Sequence, residues 1–229
     1  MTSVSLSSAD PITAKADALV IGLHSSPEGP SSPFEELAAA AALAGAKGKL
    51  GEVTVLPGIG VIAADRVIAV GLGDVDELTG DRVRTAAGVA SRAAAGHGKI
   101  VSTLGGADLG AAAEGHLLGA YSFAAYKNDG AKPVGSVVLT VPSNNKAAKS
   151  TLQTAVATAE AVALARDLVN TAPNDLPPAV LADRAASAAR AAGLKVQVLD
   201  EKALAKAGFG GILGVGQGST RPPRLVRIS

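Results

Sequence analysis

The chain has 229 residues, with 21 Lys and Arg against 20 Asp and Glu, so a net charge of +1 gives no electrostatic reason to expect nucleic acid or an acidic membrane as partner. It has no cysteine, which excludes disulfides, thiolate metal sites and a Cys nucleophile, and fits a reducing compartment. The length suits one or two domains and allows a real core, yet aromatics are only 2% (three Phe, two Tyr, no Trp), so Ala, Val, Leu and Gly must fill it. The first ten residues lack the basic and apolar regions of a signal peptide, and no apolar stretch approaches the ~18 residues of a membrane span. The address read from this is the cytoplasm.

Strand and helix patterns alternate along the chain. Ala18 to Leu23 is a short apolar run of the kind that forms a buried strand. Pro27 to Pro33 reads as a loop, and Phe34 to Ala44 as a helix with Ser32 as cap and Pro33 in its first turn. Glu52 to Leu56 and Arg66 to Val70 read as strands, Asp81 to Ala95 as a helix stopped by Gly96, and Ile100 to Leu104 as a strand. Ala111 to Tyr126 reads as a helix weakened by Gly115 and Gly119, and Ser136 to Val141 as a strand ended by Pro142. This alternation predicts an α/β domain with a mostly parallel or mixed sheet over roughly the first 145 residues.

A long helix is expected over about 146–171. At about 100° per residue Gln153, Glu160 and Asp167 share one stripe with Lys149, and most of the remaining surface is apolar, as in a helix wedged between two bodies. Asn170 to Pro178 reads as a rigid turn. Pro178 to Ala192 reads as a helix ended by Gly193, Lys195 to Leu199 as a strand, and Asp200 as the cap of a short helix ended by Gly208. The six glycines from Gly208 to Gly218 read as a backbone-shaping loop rather than a phosphate cradle, and Arg224 to Ile228 as a last strand. So few elements after residue 172 cannot close a domain, so the expectation is a second α/β domain that continues beyond Ser229.

Other signals are weak. Gly58-Ile-Gly-Val-Ile-Ala63 matches G-x-G-x-x-A, but a dinucleotide loop needs a strand before it and a helix after it, and a hairpin turn fits better. Gly71-Leu-Gly-Asp-Val75 stands between a strand and a helix, which suits either an anion-binding loop or a tight turn. His24, His97 and His116 are isolated, as surface or packing histidines are, and Ser219 lies in Gly-Ser-Thr rather than in G-x-S-x-G.

Two segments are more specific: Arg166-Asp-Leu-Val-Asn-Thr-Ala-Pro-Asn-Asp-Leu-Pro177, and the stretch from Val198-Leu-Asp-Glu through Gly208-Phe-Gly-Gly-Ile-Leu-Gly-Val-Gly-Gln-Gly-Ser-Thr-Arg-Pro-Pro-Arg-Leu-Val226. In order and spacing both resemble the cytosol (leucyl) aminopeptidase family at the entry to its catalytic domain. Val70-Gly-Leu-Gly73 and Ala86-Ala-Gly88 are similar to its N-terminal part only in pattern, and Ala172 and Phe209 depart from residues common in the family (Pro and Met). The resemblance implies a macro-like mixed-sheet accessory domain over 1–145, a linker helix over 146–171, and the incomplete start of a metallopeptidase catalytic domain over 172–229. It further implies a hexameric hydrolase that releases N-terminal residues from peptides with two divalent ions, Mn or Zn.

The family's metal motifs, of the forms Val-Gly-Lys-Gly-Ile-Thr-Phe-Asp-Ser-Gly-Gly and Asn-Thr-Asp-Ala-Glu-Gly-Arg-Leu, are not in this sequence, and Ala46-Lys-Gly-Lys-Leu50 is only a distant echo of the first. No catalytic, cofactor-binding or metal residue is therefore assigned to any position, and the chain is expected to be inactive alone and to bind no metal. Two alternatives are weighed. Asp10-Pro-Ile-Thr13 and Ala16 to Ile21 resemble the ligand edge of macro domains, which bind ADP-ribose; a DNA-binding role is disfavoured by the balanced charge. With so little aromatic surface to bury, the chain should show modest thermal stability in a calorimetric scan; a high melting temperature would contradict this.

Overall fold

The computed structural model describes residues 2–58, 60–128, 130 and 132–229. They form two compact units, Met1–Ala163 and Leu164–Ser229. Unit 1 holds a six-stranded sheet of β1 (Ser3–Ser7), β2 (Ala18–Ser25), β3 (Val53–Pro57), β4 (Arg66–Asp74), β5 (Lys99–Ser102) and β6 (Ser136–Thr140). Their order is β1-β6-β5-β2-β4-β3, parallel throughout except for the antiparallel β3–β4 pair at one edge. The expected mixed α/β sheet is present.

Strand β2 shows why these residues make this sheet. Its run of apolar side chains is buried on both faces, as strands of parallel sheets are. Successive residues point to opposite sides, so Ala18 and Val20 join one core cluster while Leu19, Ile21 and Leu23 join the other. The second cluster is covered by α1 (Glu35–Leu43) through Leu37, Ala38 and Ala41. The first is covered by α2 (Gly80–Ala93) and α3 (Leu109–Gly119), with Leu152 and Ala155 of α4 (Lys146–Asn170) added to it.

The α2–α3 crossing depends on glycine. A Cβ placed on Gly115 would lie 2.3 Å from the carbonyl oxygen of Arg84, and one on Gly119 would lie 2.3 Å from that of Gly88. The two backbones touch where a side chain would otherwise stand. At the flank of this contact the Arg84 guanidinium bonds Glu114 at 2.8 Å and also pairs with Asp81. The glycines that weaken the helical pattern in sequence are thus the packing surface of the helix. They also bear on its length: α3 stops at Gly119 rather than continuing to Tyr126, and Phe123 and Tyr126 instead meet edge to face at 5.7 Å.

Other differences are local. Residues 3–7 carried no element in the sequence reading and form β1, whose Val4 and Leu6 pack on the core beside β6. Strand β4 runs on to Asp74, past the expected end at Val70. Ser32 does not cap α1; its hydroxyl accepts the N–H of Phe34, the residue that begins the helix.

Helix α4 extends across the boundary of the two units. Ala155, Ala159 and Ala163, spaced one turn apart, are its buried residues, while Leu164 and Val169 are exposed, Val169 to 85%. Unit 2 continues with α5 (Pro178–Ala191), β7 (Val196–Leu199), α6 (Glu201–Lys206), α7 (Gly210–Gly216) and β8 (Leu225–Ile228). Gly193 turns the chain beyond α5 in the left-handed region, at φ 76°, as its position predicted. β7 and β8 pair antiparallel.

Gly115→Val should cost about 1–3 kcal/mol, because the crossing has no space for it. Gly110→Ala should be neutral or stabilising by about 0.5–1 kcal/mol, since its Cβ meets only ordinary contacts. Urea denaturation of both variants checks this; equal effects would show that the crossing is not tight.

Candidate functional site

Unit 1 builds a cleft of about 710 Å3 at the carboxyl ends of the parallel strands. Residues just past β1 (Asp10, Pro11), late in β2 (Gly22, His24) and β4 (Leu72), and just past β5 (Thr103, Leu104) and β6 (Val141) line it. Phe34, at the entry to α1, closes one side. The Asp10 carboxylate accepts the N–H of Ile12 at 3.0 Å and so shapes the turn after β1. His24 is held by paired backbone bonds with Ser31 of 2.8 and 2.9 Å, and its Nδ1 is buried without a hydrogen-bond partner.

Below this cleft lies a closed polar chain. His116 is fully buried, with Nδ1 2.8 Å from the Ser91 hydroxyl and Nε2 2.9 Å from that of Ser102. It therefore ties α3 to α2 and to the end of β5. Burial disfavours its charged form and pushes its pKa down from 6.5 to about 3. All of its nitrogens are engaged, so it is a packing histidine of the kind expected. At the opposite end of the sheet the Asp17 carboxylate accepts the N–H groups of Lys99 and Gly98, and these bonds, Lys99 first, lower its pKa below 3.8.

The remaining sequence signals are structural. His97 bonds the Ala94 carbonyl through Nδ1 at 3.1 Å. Gly58 to Ala63 belongs to the β3–β4 hairpin, with the Gly58 N–H on the Asp65 carbonyl at 2.9 Å; Ile59 is outside the described residues. Gly71 and Gly73 lie within β4, and their N–H groups are already bonded to the carbonyls of Glu52 and Gly48, so they do not form an open anion loop. Gly208 to Gly218 is not a loop throughout, because Gly210–Gly216 coils into α7 and half-buries Ile212 and Leu213. Ser219 accepts the N–H of Arg221 in a turn.

In unit 2 the two segments that stand out in the sequence meet through one side chain. Arg221 donates to the Pro173 carbonyl at 2.9 Å and reaches both the Asn174 carbonyl and its Oδ1 at 3.4 Å. Arg184 donates to the Thr171 hydroxyl at 3.1 Å. Guanidinium groups thus hold the polar atoms of the turn after α4. Spacing alone could not reveal the Arg221 contact, which joins residues 48 apart.

A two-metal centre needs converging carboxylates and imidazoles. Among the described residues no group of three or more His, Asp or Glu comes together to hold an ion, so the residues present do not fit one. No helix among them is long and apolar enough to cross a membrane.

A mixed-sheet α/β unit leading through a long helix into a second α/β unit defines the class of this protein. Two models of one family match it in chain order: the cytosol aminopeptidase family N-terminal domain over residues 31–130, and the catalytic domain of the same family over 163–229. The chain belongs to the cytosol aminopeptidase family. It is 47% identical over 232 residues to a probable cytosol aminopeptidase of Rhodococcus jostii, covering 94% of this chain and 46% of that protein. The chain spans about half the length of the curated relatives it matches. Among solved structures it is similar to the bottromycin maturation enzyme BotP in complex with Mn, at 28% identity and TM-score 0.77 over 93% of this chain and 45% of that one. A tomato leucine aminopeptidase mutant shares the fold at TM-score 0.84 and 21% identity, over all of this chain and 50% of that one.

His116 sets a pH dependence. Its folded pKa is below its free value, so the unfolded chain binds the extra proton between pH 6.5 and 3, and stability is full above pH 6.5 and falls as pH is lowered. The expected loss is about 1.4 kcal/mol per pH unit, or about 2 kcal/mol from pH 6.5 to 5. Asp17 contributes only lower, because its stabilisation is present above 3.8 and is lost as pH falls through its depressed pKa. Denaturation midpoints at pH 7 and 5 should differ for the native chain and much less for His116→Gln; equal slopes would contradict this.

Proposed function

We propose that this chain is the N-terminal portion of a cytosolic leucyl aminopeptidase, a metal-dependent hydrolase that releases N-terminal amino acids from peptides and assembles as a hexamer. The observation that carries this reading is the match of both the N-terminal and the catalytic models of one family, in order, along a single chain. The manganese of the BotP complex, a structural neighbour, supports a divalent-metal enzyme. In this reading residues 1–145 are the accessory lobe, 146–171 the linker helix and 172–229 the opening of the catalytic domain, with the Mn or Zn ligands and catalytic groups beyond Ser229.

Two divalent ions supply a polarised carbonyl and an activated water to such a reaction. The residues of this chain act upstream of that chemistry. Arg221 and Arg184 hold the turn at residues 171–174, which fixes the chain's path into the catalytic domain. The Arg224–Glu201 pair at 2.7 Å fastens the last strand beside α6.

The purified chain with Mn or Zn should not hydrolyse leucine p-nitroanilide. A protein that continues past Ser229 should do so, lose the activity to a chelator and regain it with metal. Turnover by the chain alone would overturn the assignment of its residues, and an inactive metal-loaded longer protein would overturn the activity.

A further inference from the structure

We propose that the cleft of unit 1 binds a primary ammonium group carried on an apolar body, with Asp10 as its counter-charge and His24 as a hydrogen-bond acceptor. The position supports a ligand site. β2 and β5 are neighbours, but β2 leads through α1 on one face toward β3 and β4, whereas β5 leads through α3 on the other face toward β6. The connections diverge there, and open α/β sheets bind ligands in the crevice left at the carboxyl ends of such strands. The volume, about 710 Å3, is that of a small-molecule site.

The lining sets the ligand's chemistry. Phe34, Leu72, Leu78, Leu104 and Val141 make an apolar wall. Among the described residues no Lys or Arg lines the cleft, and Asp10 is the one acidic residue that does. Asp10 spends Oδ1 on the Ile12 N–H and keeps its other oxygen for a ligand at the exposed rim. The helix that opens beside Phe34 carries Glu35 and Glu36 in its first turn, so even this helix N-terminus is answered by carboxylates. Anions meet like charge here and cations meet opposite charge.

His24 is the second observation. Buried polar atoms are nearly always paired, and the unpartnered Nδ1 belongs to His24, one of the residues that line the cleft. The Ser31 bridge holds the backbone of His24 in place. The ammonium terminus of a peptide or amino-acid amide is the form of this chemistry that the proposed function supplies, and the choice of leucinamide as probe rests on that reading.

The test is titration of the 15N-labelled chain with leucinamide, with 4-methylpentanamide (the same body without the ammonium) and with inorganic pyrophosphate. Leucinamide should shift the cleft resonances saturably, with a Kd of about 1 mM or tighter. The uncharged isostere should bind about tenfold more weakly, and pyrophosphate should not compete. Asp10→Asn keeps a competent cap and should show the same tenfold loss. His24→Phe should also weaken binding while leaving the thermal midpoint unchanged or raised, because it removes an unpaired buried atom. Ala107→Trp, at an exposed position on the cleft, should block binding without unfolding the chain.

No saturable shift, equal binding of the uncharged isostere, or preference for pyrophosphate would overturn the proposal. Because the readout is binding to this chain, it separates from the hydrolysis assay. Leucinamide binding beside an inactive longer protein retains the cleft and retires the aminopeptidase reading, and the reverse result retires the cleft alone.

Discussion

The close backbone approach of α2 and α3 is the contact on which the rest of unit 1 depends. A chain with almost no aromatic residues cannot fill wide gaps between helices and sheet, so its layers must come together. Gly88, Gly115 and Gly119 let them do so, and the alanines of both helices then reach the sheet. That approach also encloses Ser91, His116 and Ser102, which bond one another and the neighbouring backbone. A buried network of this kind has one good arrangement, and it sets the rotation of α3 about its axis.

The same arrangement determines where chemistry can occur. Helices cover the sheet on both faces, and the cleft of unit 1 lies at the carboxyl ends of its strands. The cleft is lined by short polar groups and aliphatic walls and lacks the paired carboxylates of a hydrolytic centre.

Much of this fold was legible because the signals were local. The two-sided apolar run of β2, the pyrrolidine rings at the start of α5 and the glycine after it each specify their structure within a few residues. The family segments around residues 166–177 and 198–226 were legible for the same reason, as order and spacing along the chain. What was missed depends on partners distant in sequence. β1 is a weak alternation that becomes a strand only beside β6, more than a hundred residues away. The glycines of α3 read as helix breakers until α2 lies against them. The glycine-rich run after Gly208 looked like a loop because propensity disfavours a helix there, and the burial of Ile212 and Leu213 outweighs that preference. The unpaired nitrogen of His24 leaves no trace in sequence at all.

The Arg221 tether has a consequence for biosynthesis. The turn it secures, at Pro173 and Asn174, leaves the ribosome before the arginine does, with about four dozen residues between them. At roughly 5–20 residues per second that interval lasts a few seconds. During it the first unit already has every strand of its sheet, whereas the opening of the second waits, untied, for a cation that has yet to be translated. Synthesis thus supplies every strand of the first sheet before the arginine that latches the turn at Pro173 and Asn174.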